Sequence, residues 1–424
     1  LWFASRLGLR SVDPYFDTLY SAFEMIASGV TTVQHLHPRA AGGLAGLERT
    51  ADSVLRAYGD IGMRVSYSMA LRDQNRLVYA PDAEFIDRLP ASLGAEMASY
   101  FDAYTVPFDE QIGHFESLLG VHGDKRCIRI QLAPSNLHWL SDSALAAIAE
   151  TAETHDACLH THLLETRYQK AYAFQRGGGS ALAHFQRFGL LGPRLTIGHG
   201  VWMTEEDIAL CADAGITLCH NCSSNLRLKS GIAPVNRFLA KNIPVAIGID
   251  EAGINDDRDM LQEMRLVLRM HREPGIDAPH PQATQVLRMA TEHGASTTPF
   301  AGTIGRLSPG MEADLVVFDW RDITYPYQDD DIPFVDVLVQ RARPSAIRTV
   351  MVAGEVIYED GEFTLVDQAA VLAELAERLA MPPTPEEKRM RELSKAVFPY
   401  VETFYREFDL PDIELPFYRH NDRY

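Results

Sequence analysis

Positive charge is scarce in this sequence: 39 Lys and Arg stand against 58 Asp and Glu, a formal net charge of -19. Such a surface repels phosphate instead of releasing its counterions, so nucleic acid is not an expected partner. Long apolar runs are missing as well. No uninterrupted stretch is long enough to span a bilayer and the opening residues do not read as a secretory signal, so no membrane partner is expected. Cysteine is sparse and odd in number: the five are Cys127, Cys158, Cys211, Cys219 and Cys222, without the spacing of a disulfide framework. No disulfide is expected, and the composition suits a reducing, cytoplasmic setting.

What is present is apolar content and strand-helix alternation. The 424 residues are 46% hydrophobic, which fits one barrel with a smaller appendage better than three separate domains. Runs rich in β-branched residues recur near Val30 to His37, Arg64 to Ala70, Ile128 to Ala133, Ala157 to Leu163, Leu195 to His199, Ile216 to His220 and Val245 to Asp250. Most are followed by a segment of helical period, such as Thr204 to Ala214, where Thr204 can cap and Asp207 sits three residues on. Strands alternating with helices pair in parallel through crossovers, and the expected fold is an α/β (β/α)8 TIM barrel. These runs supply about seven units against the eight that closure requires. The first strand is expected upstream of Leu1, because residues 1–28 read as a loop followed by the helix Tyr15 to Ser28.

After the last run the pattern changes. Helical segments over Asp257 to His271 and Gln282 to His293 give way to strands at Ala313 to Trp320 and Ile347 to Gly354, with Glu355 to Phe363 pairing back. The expected organisation is a hydrolase barrel over 1–300, a small β-sandwich-like subdomain over 301–365 and a helical tail over 366–424, whose aromatic end packs on the barrel or on a second subunit. The triple glycine at Gly177 to Gly179 lacks the strand-to-helix setting of a phosphate loop and reads as a plain loop.

Three of the strand runs end in His162, His199 and Asp250. Metal-ligand and proton-transfer side chains at the C-terminal ends of successive parallel strands are how such a barrel builds an active site. Imidazole and carboxylate together suit Zn²⁺ or Fe²⁺ with an open position for water, whose pKa can fall from about 15.7 to about 7. Glu165, three residues beyond His162, can project from the same strand end and move protons. Each residue has a structural alternative: a core histidine for His162 and His199, a helix N-cap for Asp250, a first-turn acid for Glu165. His160 alternates with His162 and is read as structural.

The ordered motifs His160-Thr-His-Leu-Leu-Glu-Thr166, Gly198-His-Gly-Val-Trp-Met-Thr-Glu-Glu-Asp207, Cys219-His-Asn-Cys-Ser-Ser-Asn-Leu-Arg-Leu-Lys-Ser-Gly-Ile-Ala-Pro234, Gly248-Ile-Asp-Glu-Ala-Gly-Ile-Asn-Asp-Asp257 and Ile304 to Phe318 resemble the amidohydrolase superfamily. Within it they are similar to the cytosine deaminase and chlorohydrolase-like branch of aminohydrolases. The resemblance implies one divalent ion, zinc first and ferrous iron second, held by His162 and Asp250, with His199 contacting the attacking water or the substrate. It further implies that Glu165 protonates a ring nitrogen and that Asp250 passes the water's proton to leaving ammonia. The substrate so implied is a small heterocycle of purine, pyrimidine or triazine type, and relatives of this kind suggest a homo-oligomer.

The chain departs from the family pattern in two places. The His-x-His pair of the first strand is expected upstream of Leu1, while His35-Leu-His37 has the same form on what resembles the second strand. Metal binding, pocket lining by His37 and a structural role all stay open for it. Ser135-Asn-Leu-His-Trp139 stands where the family often has a histidine, and Glu251 replaces a common glycine. Arg72, Gln74, His138 and Trp139 are candidates for substrate contact. Cys219-His-Asn-Cys222 has half-motif spacing without a second pair and is read as structural or pocket-lining. Besides deamination, two readings stay open: hydrolysis of a carbon-halogen or cyclic amide bond on the same scaffold, and a metal-free, non-catalytic remnant.

Overall fold

A computed structural model describes residues 2–38, 40–250 and 257–410. Glu251 and the end of the aromatic tail, residues 411–424, lie outside the described residues.

The apolar runs form parallel strands. β1 (Thr32–His37), β2 (Arg64–Leu71) and β3 (Ile128–Ile130) pair in that order, and β4 (Ala133–Pro134), a short continuation beyond β3, also pairs with β2. β5 (Leu159–Leu163), β6 (Leu195–His199), β7 (Thr217–His220) and β8 (Val245–Ile247) pair in sequence order. A parallel bridge from Leu132 to Leu159 joins the two sets. The result is an α/β arc of seven strand positions, and barrel closure by an eighth is not seen among the described residues. Between the two ends of the arc, Nδ1 of His293 lies 2.9 Å from the Val245 carbonyl, and the Gln34 amide donates to the Thr297 carbonyl at 2.7 Å. One short segment thus occupies backbone and side-chain groups at both edges, which open strands leave unpaired.

Helix boundaries follow local chemistry. The segment after β6 runs as a helix over Glu205–Ala214 and begins with a capping box, the Thr204 side chain accepting from the Asp207 backbone while the Asp207 carboxylate accepts from Thr204. Gly215 ends it with φ 69°, a conformation that costs glycine least.

The appended β unit is a single antiparallel sheet among the described residues, in the order β12 (Glu362–Phe363), β11 (Glu355–Glu359), β10 (Ile347–Val352), β9 (Leu315–Phe318). It is tied to the arc by a buried ion pair. Arg64 donates through Nε and Nη2 to the two carboxylate oxygens of Asp314, each at 2.8 Å, with side-chain exposures of 1% and 3%. Asp314 also accepts from the Ala353 backbone N–H at 2.8 Å.

The C-terminal helix Pro385–Arg406 packs back on the rest of the chain. Leu393, Val397, Val401 and Phe404 share an apolar cluster with Leu7, Phe85, Met97 and Phe101. Beyond the helix, Phe408 joins Tyr405 against Tyr79 and Tyr168. No described helix is long and apolar enough to cross a membrane.

Removing one partner of a buried ion pair strands the other charge. Asp314→Ala is therefore expected to lower stability by about 3–5 kcal/mol in chemical denaturation; a loss under about 1 kcal/mol would mean the pair does not hold the sheet. A second expectation concerns acid. Burial, and then His37, push His35 down to about 3. The unfolded chain takes up that proton below about pH 6.5 and the folded chain does not, so stability is complete above that pH and is lost as pH falls toward 3, by about 1.4 kcal/mol per pH unit for this group. His35→Gln should flatten the measured slope of stability against pH by about one proton.

Candidate active site

Parallel pairing brings the strand ends to one edge. Leu163 lies opposite His199 and His162 opposite Gly198, while His220 lies opposite Ile247. At that edge the backbone turns sharply. His199 has φ 74°, Asp250 φ 67° and Leu164, just before Glu165, φ 53°. Non-glycine residues rarely adopt this left-handed region, at a cost of about 1–3 kcal/mol each, and such positions cluster where side chains must be aimed.

The aim is common. His162, His199 and Asp250 each offer a ligand atom, and these atoms all lie within 4.8 Å of one another. Nε2 of His199 is 4.0 Å from Oδ2 of Asp250, and the two imidazoles stand 5.4 Å apart at their centroids. His199 is buried; His162 and Asp250 are half-buried.

The segment after β7 braces all of the acid-base groups. Ser224 donates to Oδ2 of Asp250, Asn225 pairs through Oδ1 with Nδ1 of His199 at 2.8 Å, and Ser230 donates to Glu165 at 3.2 Å. Glu165 is held from its own side by Gln169, whose amide donates to the carboxylate at 3.2 Å and accepts from the Glu165 backbone at 2.8 Å. An Asn carbonyl on Nδ1 fixes that proton there and leaves Nε2 facing Asp250.

Charges follow from these neighbours. Burial, and then His199, lower His162 and keep its imidazole neutral, the form that ligates metals. Burial works to lower His199 too, but Glu165, Asp250 and Asn225 together hold it above its ordinary value.

The donor set fits a metal ion. A neutral imidazole and a carboxylate, with a second imidazole on the same opening, suit a zinc ion that keeps positions free for water. Nδ1 of His162 is buried without a hydrogen-bond partner, as a ring nitrogen available for ligation would be.

Neither His35 nor His37 belongs to the converging group. His35 meets Tyr58 Oη at 2.9 Å through Nδ1 and His37 at 3.3 Å through Nε2, the two imidazole rings nearly parallel at 3°. His138 is 2% exposed with both ring nitrogens unpartnered, packed 4.0 Å from Tyr79 and 4.3 Å from Trp139 at the ring centroids. Burial, then Arg72 and His162, hold it well below its ordinary pKa, so it stays neutral close to the site. Gln74 spends its amide on the carbonyls of His138 and Leu140 and so supports the turn that carries His138. Arg72 lies 4.9 Å over the Trp139 ring and donates to the Pro38 carbonyl at 2.8 Å. A cleft lined by Pro38, Met69, Arg72, Tyr104, Gln111 and His114 opens beside the ends of β1 and β2, and none of the three converging donors lines it. His160 is buried, its ring edge-on to His162.

Ser224, Asn225, Ser230 and Gln169 were not singled out in the sequence. The signal was their place: three lie within the family-like motif Cys219 to Pro234 after β7, and the fourth lies one helical turn beyond Glu165.

The chain belongs to the amidohydrolase family, whose model matches residues 13–357. It is 36% identical over 248 residues to a 5-methylthioadenosine/S-adenosylhomocysteine deaminase of Nitratidesulfovibrio vulgaris strain Miyazaki F, covering 58% of this chain and 56% of the relative. The same-named protein of Syntrophobacter fumaroxidans is 33% identical over 270 residues, 64% of this chain and 61% of the relative. The chain thus spans less than two thirds of the length of these two relatives. A 5'-deoxyadenosine deaminase of Methanosarcina barkeri is 31% identical over 369 residues, 86% of this chain and 74% of the relative. Among solved structures, a zinc-bound adenosine deaminase from Xanthomonas campestris shares the fold with TM-score 0.74 and 24% identity over 91% of this chain and 78% of that one. A zinc complex of atrazine chlorohydrolase from Arthrobacter aurescens does so with TM-score 0.74 and 22% identity over 86% and 76%.

Replacing Asn225 with an apolar residue of similar size releases the His199 tautomer. Asn225→Leu is expected to lower turnover of the metal-loaded protein about 10- to 100-fold with zinc content unchanged; an unchanged rate would show that the contact does not tune the site.

Proposed function

We propose that this chain is a metal-dependent aminohydrolase that replaces an exocyclic amino group of an N-heterocycle by oxygen, releasing ammonia, with a 6-aminopurine nucleoside as the favoured substrate. The observation that carries this reading is the convergence of His162, His199 and Asp250 within 4.8 Å, with Glu165 braced beside them. The purine is favoured because the relatives are named for deamination of adenosine derivatives.

His162 and Asp250 would hold the ion, zinc in the first place and ferrous iron as the alternative, with His199 on the same opening. When bound, the ion acts as a Lewis acid that lowers the pKa of a water to about 7. The remaining work falls to side chains. Glu165 in its protonated form gives its proton to the ring nitrogen next to the carbon under attack, which makes that carbon electrophilic. Asp250 takes a proton from the attacking water as the new carbon-oxygen bond forms, and delivers it to the amino nitrogen. The carbon-nitrogen bond then breaks, ammonia departs, and loss of the remaining hydroxyl proton to Glu165 yields the ring carbonyl. His199, oriented by Asn225, presents Nε2 to the water. Buried and unpartnered, His138 is a neutral polar group that could contact the heterocycle, with Tyr79 and Trp139 as its aromatic neighbours.

A metal-free, non-catalytic remnant is separated by elemental analysis of the purified chain, which would find no bound zinc or iron. Carbon-halogen hydrolysis would use the same donors and is separated by its product.

Metal-loaded protein should release ammonia from adenosine or a 5'-substituted adenosine in a panel that also holds guanine, cytosine, an aminated triazine and a chlorinated triazine. Chelation should abolish the release and zinc restore it. Glu165→Gln should lower kcat about 10²- to 10⁴-fold with metal content unchanged. Halide release with no ammonia from any aminated ring would overturn the assignment.

A further inference from the structure

A second cluster of ligating side chains lies at the end of β7, on atoms that the proposed reaction does not use. His220 closes β7, Cys222 opens the helix Cys222–Arg227, and His271 follows the last turn of the helix Met260–Met270. Their exposures are 1%, 2% and 0%. Each offers a ligand atom within 4.8 Å of the other two, and the imidazoles of His220 and His271 face each other through Nε2 at 2.8 Å.

We propose that His220, Cys222 and His271 form a second, buried metal site that takes a thiophilic transition ion, zinc first, and that this ion anchors the segment bracing the active site. Two imidazoles and a thiolate are a donor set for zinc or copper rather than for a hard, oxygen-seeking ion. With Nε2 of His220 meeting Nε2 of His271 at hydrogen-bond distance, one of the two nitrogens already carries no proton and has a lone pair to give. Nδ1 of His220 has no hydrogen-bond partner, so moving the ring proton from Nε2 to Nδ1 leaves no additional polar atom unsatisfied. Binding a dication exchanges the Cys222 thiol proton for the metal, releasing one proton to solvent. The thiolate offsets one of the two positive charges. Glu263, 1% exposed on the helix Met260–Met270 and accepting from the Ser223 backbone at 3.4 Å, is placed to offset the other. With bonds of about 2.0–2.1 Å to each nitrogen at tetrahedral angles, the two nitrogens would sit about 3.3 Å apart, so the rings need to part by only about 0.5 Å.

The position gives the ion a task. Cys222 lies two residues before Ser224, which holds Asp250, and three before Asn225, which holds His199. An ion that pins Cys222 to β7 and to the helix Met260–Met270 fixes where those two contacts start.

The test is titration of the metal-free full chain with Co²⁺, read by absorption. Thiolate bound to cobalt gives a near-ultraviolet charge-transfer band that imidazole and carboxylate do not. The expected result is two equivalents bound with the band present. Cys222→Ser should lose the band and one equivalent, whereas Asp250→Asn should lose an equivalent and keep the band. Cys219→Ser should keep the band, and His271→Asn should weaken the thiolate-bearing equivalent at least tenfold, which decides the matter if Cys222→Ser does not fold. Wild type without the band, or a band that survives Cys222→Ser, overturns the site. The inference is independent of the proposed activity: protein that shows the band but releases no ammonia would remove the deaminase reading and leave this site standing.

Discussion

Parallel pairing of β5 through β8 is the constraint on which the site depends. It places the C-terminal ends of successive strands side by side, so that residues 37 and 51 positions apart in sequence, His162 to His199 and His199 to Asp250, bring atoms within 4.8 Å of one another. Each strand needs only a few apolar residues to reach that edge. At the edge the ladder stops, and left-handed backbone at His199 and Asp250 turns the side chains inward. The strain is local, and the buried strands behind it, together with hydrogen bonds in front, keep it in place.

Those hydrogen bonds come from one segment. Residues 221–230 reach Asp250, His199 and Glu165 through Ser224, Asn225 and Ser230, so one stretch of chain sets the orientation of groups delivered by three different strands. A hydrogen bond to an ionised partner in a buried setting is among the stronger ones, and it also fixes geometry. The proposed ion at His220, Cys222 and His271 would lie at the root of this segment, so that positioning of the acid-base groups and stability of the β7 end become one matter.

Much of the fold was legible in the sequence. The seven apolar runs match the seven strand positions, and the cap signals at Thr204 and Asp207 mark the start of a helix. The convergence of His162, His199 and Asp250 was also legible, because period-2 strands ending in ligand-type residues constrain where those residues go. The neighbours were not. His35-Leu-His37 has the form of a ligand pair, yet its rings meet each other and Tyr58. Gln74, a candidate for substrate contact, donates its amide to the carbonyls of His138 and Leu140, which its own stretch of sequence does not show. In each case the side chain's partner is far away in sequence, and local pattern holds no information about which partner packing will supply.

The sequence by itself determined the alternation of strands and helices, the placement of donors at strand ends and the acidic surface, because these follow from residue type and spacing. Tertiary structure alone decided which donors meet. It brought Ser224 and Asn225 beneath Asp250 and His199, set His271 against His220 across 51 residues, and laid Tyr405 of the C-terminal helix against Tyr79 beside His138. These contacts join residues whose separation along the chain is large, and only the packing of whole helices and strands fixes distances of that kind.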